Sequence, residues 1–366
     1  MGPPLSTVWT NFHPPSPEFT EKDIPNLQGK VYIVTGANTG VGKEIARIVY
    51  AKNAKVYIAA RSEQKAKDAI ANIKQTVPSS KGELKYLHLD LADLSLIKDS
   101  AQRFLSLETK LNVLFNNAGV MTGNTQPPPS TVQDYELNVG VNCIGTFLFT
   151  KLLTPLLVQT AKSEPANSVR VTWPSSFATE MHGEKDVGID VNGMGDVLKK
   201  PSSLRYAISK TGTWALGVEY AKRHFADGIV SIPLNPGNLT SELARNQPLS
   251  IRLAAKVVGY PPLKGACTQL FAALSPEVTL EKSGSWVVPF GRFYPIREDL
   301  VKATKSVAEG GTGGTKRFWD WTEDQVKAVT NRRFSPQPTW SFLASWRSDP
   351  VKPRKPRLGP PYQRSK

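Results

Sequence analysis

The sequence predicts an α/β chain with a single doubly wound, mostly parallel sheet of seven strands, covered by helices on both faces. Three observations carry this prediction. From residue 30 onward, short runs rich in β-branched and aromatic residues alternate with stretches of helical apolar spacing. The first run, VYIVT, leads directly into glycines at 36, 40 and 42 and then a helical pattern, the strand, turn and helix of a βαβ unit. Poor strand formers, Asn116-Asn117 and Asn235-Pro236-Gly237, close two of the runs. In open α/β sheets ligands bind at that carboxyl edge.

In chain order, residues 1–29 are Pro-rich and polar and read as an N-terminal arm, draped over the domain or mobile. Residues 30–330 read as the domain itself. Strand 31–34 ends at Thr35-Gly36, and the helix beyond it runs from Gly42 to Lys52. Glycines in such a turn let the backbone approach a phosphate, and the N–H groups opening the helix favour negative charge. The second strand, 55–60, ends on Arg61, with Lys65 one helical turn later. A carboxylate at this point would serve the ribose 2′-hydroxyl of NAD; a basic residue accommodates a 2′-phosphate, so NADP is expected.

Ser62 and Asp93 are residues of the capping type, and they open helical stretches 62–74 and 93–107. Strand 84–89 ends in Asp90, and strand 112–116 ends in Asn116-Asn117-Ala118-Gly119. Segment 132–160 reads as helix with a local adjustment near 140–145, ahead of strand 169–173. A polar insertion, 179–203, precedes a long helix, 204–225, and strand 230–234. Residues 238–262 are a candidate substrate flap; their piece SIRLAAKVVGY is amphipathic, as a packed helix, a flap or a membrane-surface contact would be. Strand 285–288 is the seventh. Residues 331–366 lack periodicity and read as a basic, Pro-rich, disordered tail.

Composition narrows the functional classes. Two cysteines, Cys143 and Cys267, give neither a disulfide framework nor metal-ligand spacing, and four scattered histidines add no metal site. No run of about 18 consecutive apolar residues marks a transmembrane segment. The first residues lack a basic start and an apolar core, so the expected location is cytoplasmic. The net charge of +15 sits largely at the end: residues 331–366 hold nine Lys or Arg against one acidic residue, Asp349. A basic tail alone does not make a nucleic-acid binder.

Thr35 to Gly42, Asn116 to Gly119 and the pair Tyr206/Lys210 reproduce T-G-x-x-x-G-x-G, N-N-A-G and Y-x-x-x-K in order. On these motifs the chain resembles the short-chain dehydrogenase/reductase family, in the fungal branch that is similar to retinol dehydrogenases and WW-domain oxidoreductases. The resemblance spans about residues 28 to 325 and implies a Rossmann-type domain. Two other Y-x-x-x-K matches do not qualify: Tyr260 precedes Pro261-Pro262, and Tyr362 lies in the tail. Tyr206 and Lys210 fall i, i+4 on one helix face.

The resemblance implies a catalytic set of Asn142, Ser176, Tyr206 and Lys210. Tyr206 would exchange a proton with the carbonyl oxygen, Lys210 would lower its pKa, Ser176 would bind the same oxygen, and Asn142 would hold a water relay. Ser175 competes with Ser176 for its place. A tyrosine working near neutrality needs its phenolate stabilised by roughly 4 kcal/mol, and a nearby ammonium is a source. The implied cofactor residues are Gly36, Asn38, Gly40, Val41, Gly42, Arg61, Lys65, Asp90, Asn117, Tyr206, Lys210 and Thr240.

The expected activity is NADP-dependent interconversion of a carbonyl and an alcohol on a small, apolar or bulky molecule. Pro174 and Pro233 fall where strands should pair, which predicts a bulge or a displaced Ser176. They motivate the competing reading, a catalytically weak dinucleotide-binding sensor or interaction protein. The helices at 132–160 and 204–225 suit a homodimer face, and a core face equally.

Overall fold

The computed structural model describes residues 2–240, 243, 247 and 259–330. Most of the flap, including nearly all of SIRLAAKVVGY, and the tail at 331–366 lie outside the described residues. Strands β1 (Val31–Thr35), β2 (Lys55–Ala60), β3 (Glu83–His88), β4 (Val113–Phe115), β5 (Arg170–Pro174), β6 (Val230–Leu234), β7 (Val287–Val288) and β8 (Arg292–Phe293) form one sheet. Their order is β3-β2-β1-β4-β5-β6-β7-β8, parallel throughout except for the β7–β8 pair. This is a doubly wound α/β fold, with eight strands rather than the expected seven. The eighth is two residues long, too short for a period-2 pattern to register, and it exists because the chain turns back along β7.

Both faces are covered, and every residue of β1 and β6 is buried. One face packs Tyr57, Phe104, Leu114, Phe147, Trp173 and Trp214. The other packs Val34, Ile45, Ile48, Phe115, Ile232 and Leu270. Helices α2 (Gly40–Ala51), α3 (Glu63–Thr76) and α4 (Leu94–Leu105) sit where the periodicity puts them. Ser62 and Asp93 do cap: their side chains accept from Lys65 N and Ser95 N.

Helix α5 (Leu137–Val139) continues through a π-helical turn (Gly140–Gly145) into α6 (Thr146–Ala161), so the adjustment expected near 140–145 is a π-turn. The stretch Leu137–Ala161 is long and apolar enough to cross a membrane by length and composition, although no uninterrupted apolar run marks it. Yet 72% of its most apolar window is buried, and the stretch packs against α4 and the helix at 202–223. Helix α7 (Ala178–His182) and a 3₁₀ stretch (Val191–Lys199) occupy the insertion, and α8 (Ser202–Arg223) follows. Helices α9 (Pro262–Leu274), α10 (Glu298–Thr304) and α11 (Gly314–Thr330) follow among the described residues.

Two departures concern the neighbourhood of the cleft. The arm contains a helix, α1 (Leu5–Phe12), whose polar residues Thr7 and Asn11 are buried while Leu5 and Trp9 are exposed. That inverted polarity hides it from a hydrophobicity reading. It docks through Asn235 Nδ2, which donates to Asn11 Oδ1 at 2.8 Å, and through Phe12 edge-on to Phe177. The prolines cause no bulge: Trp173 pairs with Pro233 and Pro174 with Leu234 in unbroken register. Pro174 lacks its N–H on the β4 side, where pairing ends at Phe115–Thr172, and Pro233 on the β7 side, where it begins at Leu234–Val287.

Glu180 on α7 is buried; Trp286 Nε1 donates to its Oε1 at 3.0 Å, while Oε2 has no hydrogen-bond partner among the described residues. Burial pushes this carboxyl up to about 7. A raised carboxyl binds a proton in the folded state that the unfolded chain releases, so folding stability falls as pH rises from the ordinary carboxylate range to about 7. Glu180→Gln should therefore raise the Tm at about pH 8, by roughly 2–4 °C per kcal/mol recovered. Calorimetry at about pH 5 should find the gain gone; an equal gain at both pH values would show that ionisation of Glu180 is not its source.

Candidate active site

A cleft of about 500 Å³ opens at the carboxyl edge of the sheet. Its floor is the β1–α2 turn. Gly36 (φ +65°) and Gly40 (φ +56°) take left-handed backbone that other residues rarely adopt. Gly42 lies just behind the wall, where a Cβ would stand 2.4 Å from Asn117 Nδ2 and 2.8 Å from Gly36 O. Asn117 Nδ2 donates to Thr35 O at 2.9 Å, and Ala118 N donates to Thr35 Oγ1 at 2.8 Å. The Asn-Asn-Ala-Gly segment is thereby locked to the turn it faces.

Gln269 of α9 braces the same point, its Nε2 donating to Asn117 Oδ1 at 2.8 Å. It lines the cleft and was not among the expected residues. The available signal was an amide directly ahead of the apolar run LFAAL.

At one end of the cleft stand Arg61 and Lys65, both exposed and, among the described residues, neither in an ion pair. The nearby carboxylate Glu63 is taken by Lys67 at 2.8 Å. Asn38, Val41 and Asp90 also line the wall. Thr240 does not: its N and Oγ1 both donate to Tyr260 O, at 2.9 and 3.1 Å, so its hydroxyl secures the Leu239–Tyr260 bridge.

Ser176, Tyr206 and Lys210 converge at the other end. Ser176 lies close enough to the Tyr206 phenol to oppose the rise in its pKa. Ser175 is turned into the protein, bonded to Lys210 O at 2.7 Å and Thr179 Oγ1 at 2.8 Å, so Ser176 is the serine that meets the tyrosine. Lys210 Nζ donates to Pro174 O at 2.8 Å and lies 5.8 Å from the centre of the Tyr206 ring. Pro174, suspected of disturbing the site, supplies the carbonyl that orients the lysine.

Asn142 sits in the π-turn behind Gly119. Its side chain accepts from Val120 N at 2.8 Å and donates to Val120 O at 3.0 Å and Ser209 Oγ at 2.9 Å. It ties the loop after β4 to α8. Ser209, buried on α8, is a second residue absent from the expected set.

The electrostatics differ from expectation. Burial pushes Tyr206 up to about 12, with Ser176 opposing it, and pulls Lys210 down to about 8. Desolvation outweighs any pull of the ammonium on the phenol. The tyrosine therefore holds its proton firmly at neutral pH, the state needed to donate one.

Residues 30–185 match the profile of the family described as short chain dehydrogenase. A short-chain dehydrogenase/reductase of Phomopsis amygdali is 52% identical over 328 residues, covering 88% of this chain and 97% of the relative. The short-chain dehydrogenase/reductase bet4 of Neocamarosporium betae is 50% identical over 327 residues, covering 89% and 94%. The chain belongs to the short-chain dehydrogenase/reductase family.

It is an oxidoreductase, and this family works with a nicotinamide dinucleotide. Solved folds agree: an uncharacterised protein from Mycobacterium paratuberculosis superposes with a TM-score of 0.59 at 25% identity, covering 84% of this chain and 97% of that one. RhlG of Pseudomonas aeruginosa, solved as an NADP complex, gives 0.56 at 22% identity, covering 72% and 95%. The glycine turn, where Gly42 leaves no room for a Cβ and two left-handed glycines bare the backbone, fits the pyrophosphate of such a dinucleotide.

Proposed function

We propose that the protein is an NADP-dependent reductase and dehydrogenase that interconverts a carbonyl and an alcohol on an apolar small molecule. The observation that carries this reading is the meeting of Ser176, Tyr206 and Lys210 at one end of a cleft whose other end holds two uncommitted cations. The dinucleotide, when bound, supplies or accepts the hydride.

Tyr206 donates its proton to the carbonyl oxygen during reduction and recovers it during oxidation. Ser176 orients that oxygen. Lys210, held by Pro174 O, presents positive charge beneath the phenol and offsets the phenolate as it forms. Asn142 keeps the loop after β4 against α8 and stands on the route by which the proton is restored. Arg61 and Lys65 hold the 2′-phosphate. Substrate apolarity is supported by Val120, Leu137, Val141 and Leu239 along the cleft, where Asp90 is the one carboxylate among the described lining residues.

Fluorescence titration tests the cofactor assignment. NADPH should bind about tenfold or more tightly than NADH, the worth of a hydrogen bond to a charged group, and Arg61→Ala should erase most of that gap. Equal affinities in the unmutated protein would remove NADP preference from the reading. A panel of aldehydes, ketones and alcohols followed at the NADPH absorbance then identifies the substrate class.

A further inference from the structure

Arg205 and Glu136 form an ion pair in which both side chains are 3% exposed, the most deeply buried pair among those described. Every polar atom of the pair is used. Arg205 Nε donates to Glu136 Oε1 at 3.2 Å, Nη1 to Lys200 O at 2.7 Å and Nη2 to Gly123 O at 3.3 Å. Glu136 accepts in addition from Asn138 Nδ2 at 2.7 Å and from Val139 N at 3.0 Å. Asn138 in turn grips Thr122 through its N at 3.0 Å and its Oγ1 at 2.8 Å.

Arg205 immediately precedes Tyr206. One guanidinium thus pins the first turn of α8 to three segments at once: the end of the insertion, the loop after β4 and the start of the helix that carries Asn142. One turn farther on, Ser209 Oγ accepts from Asn142 and donates to the Tyr206 carbonyl at 2.7 Å. The backbone of Tyr206 is held on both sides by bonds reaching across to the α5 and π-turn segment.

We propose that Arg205 and Glu136 are positioning residues for Tyr206, setting the phenol's place relative to Ser176 and Lys210. The inference rests on the proton-transfer role given to Tyr206 above. Stability alone does not account for the pair, because removing two charges from water costs several kcal/mol each, and packed neutral side chains commonly serve as well. A misplacement of about 1 Å at a reacting group can cost on the order of 100-fold in rate, and that is a use for a rigid charged fork.

The test compares Arg205→Met/Glu136→Gln and Arg205→Lys with the full-length protein, using NADPH and whichever panel carbonyl the unmutated protein reduces fastest. The double variant should fold, keep its KM for NADPH and lose about 10–100-fold in kcat. Arg205→Lys keeps the charge beside Glu136 but cannot reach both carbonyls, and it should recover part of the loss. Unchanged kcat in the folded double variant, or a loss confined to the NADPH KM, would overturn the proposal. Should the double variant not fold, Arg205→Lys decides: unchanged kcat refutes, and reduced kcat with unchanged NADPH KM supports. Failure of the underlying reading looks different, since Tyr206→Phe would then retain turnover.

Discussion

Tyr206→Phe should lower kcat by roughly 10²–10⁴-fold, the usual worth of a positioned acid or base, while NADPH still binds with its normal affinity. The phenyl ring keeps the volume beside Lys210, so the fold and the ring contact at 5.8 Å survive. What is lost is the hydroxyl beside Ser176 and a proton held by a group raised to about 12. Lys210 Nζ stays hydrogen-bonded to Pro174 O. Stopped-flow absorbance and a parallel fluorescence titration separate turnover from binding. Turnover within threefold or so of the unmutated protein would remove Tyr206 from proton transfer.

Gly42→Val should weaken dinucleotide binding. A Cβ at this position meets Asn117 Nδ2 at 2.4 Å, Gly36 O at 2.8 Å and Ala37 Cα at 3.0 Å, and two of these three atoms are backbone. Relief requires α2 to lift away from the turn, or Asn117 to release Thr35 O and Gln269 together. Overpacking of this kind costs about 1–3 kcal/mol, and here the displacement falls on the surface meant for phosphate, so roughly a tenfold to hundredfold loss of NADPH affinity is expected, along with a lower Tm. Gly42→Ala should show the same loss in smaller measure. Normal affinity in a folded Gly42→Val protein would mean that α2 packing does not shape the site.

Part of the active site was legible because its signals are local. The turn at 36–42 needs left-handed backbone at two positions and an absent Cβ at a third, and these demands act within seven residues. Ser62 and Asp93 cap helices through bonds two to three residues long. Tyr206 and Lys210 share a helix face by spacing alone. Thr240, implied by the resemblance, illustrates the limit: its hydroxyl donates to the carbonyl of Tyr260, a contact that no local pattern reveals.

Short stretches of chain already marked the doubly wound architecture, the glycine turn, the two cations after β2 and the Tyr-Lys pair on one helix face. Each follows from periodicity, steric demand or charge within a short stretch of chain. Long-range packing was needed to show that Ser176 rather than Ser175 lies beside Tyr206, that Pro174 orients Lys210, that the helix at 5–12 packs onto Asn235 and Phe177, and that Arg205 reaches Glu136. Those outcomes depend on groups far apart in sequence, such as Asn11 and Asn235 or Lys210 and Pro174, whose meeting is set by how the sheet and its helices close around them.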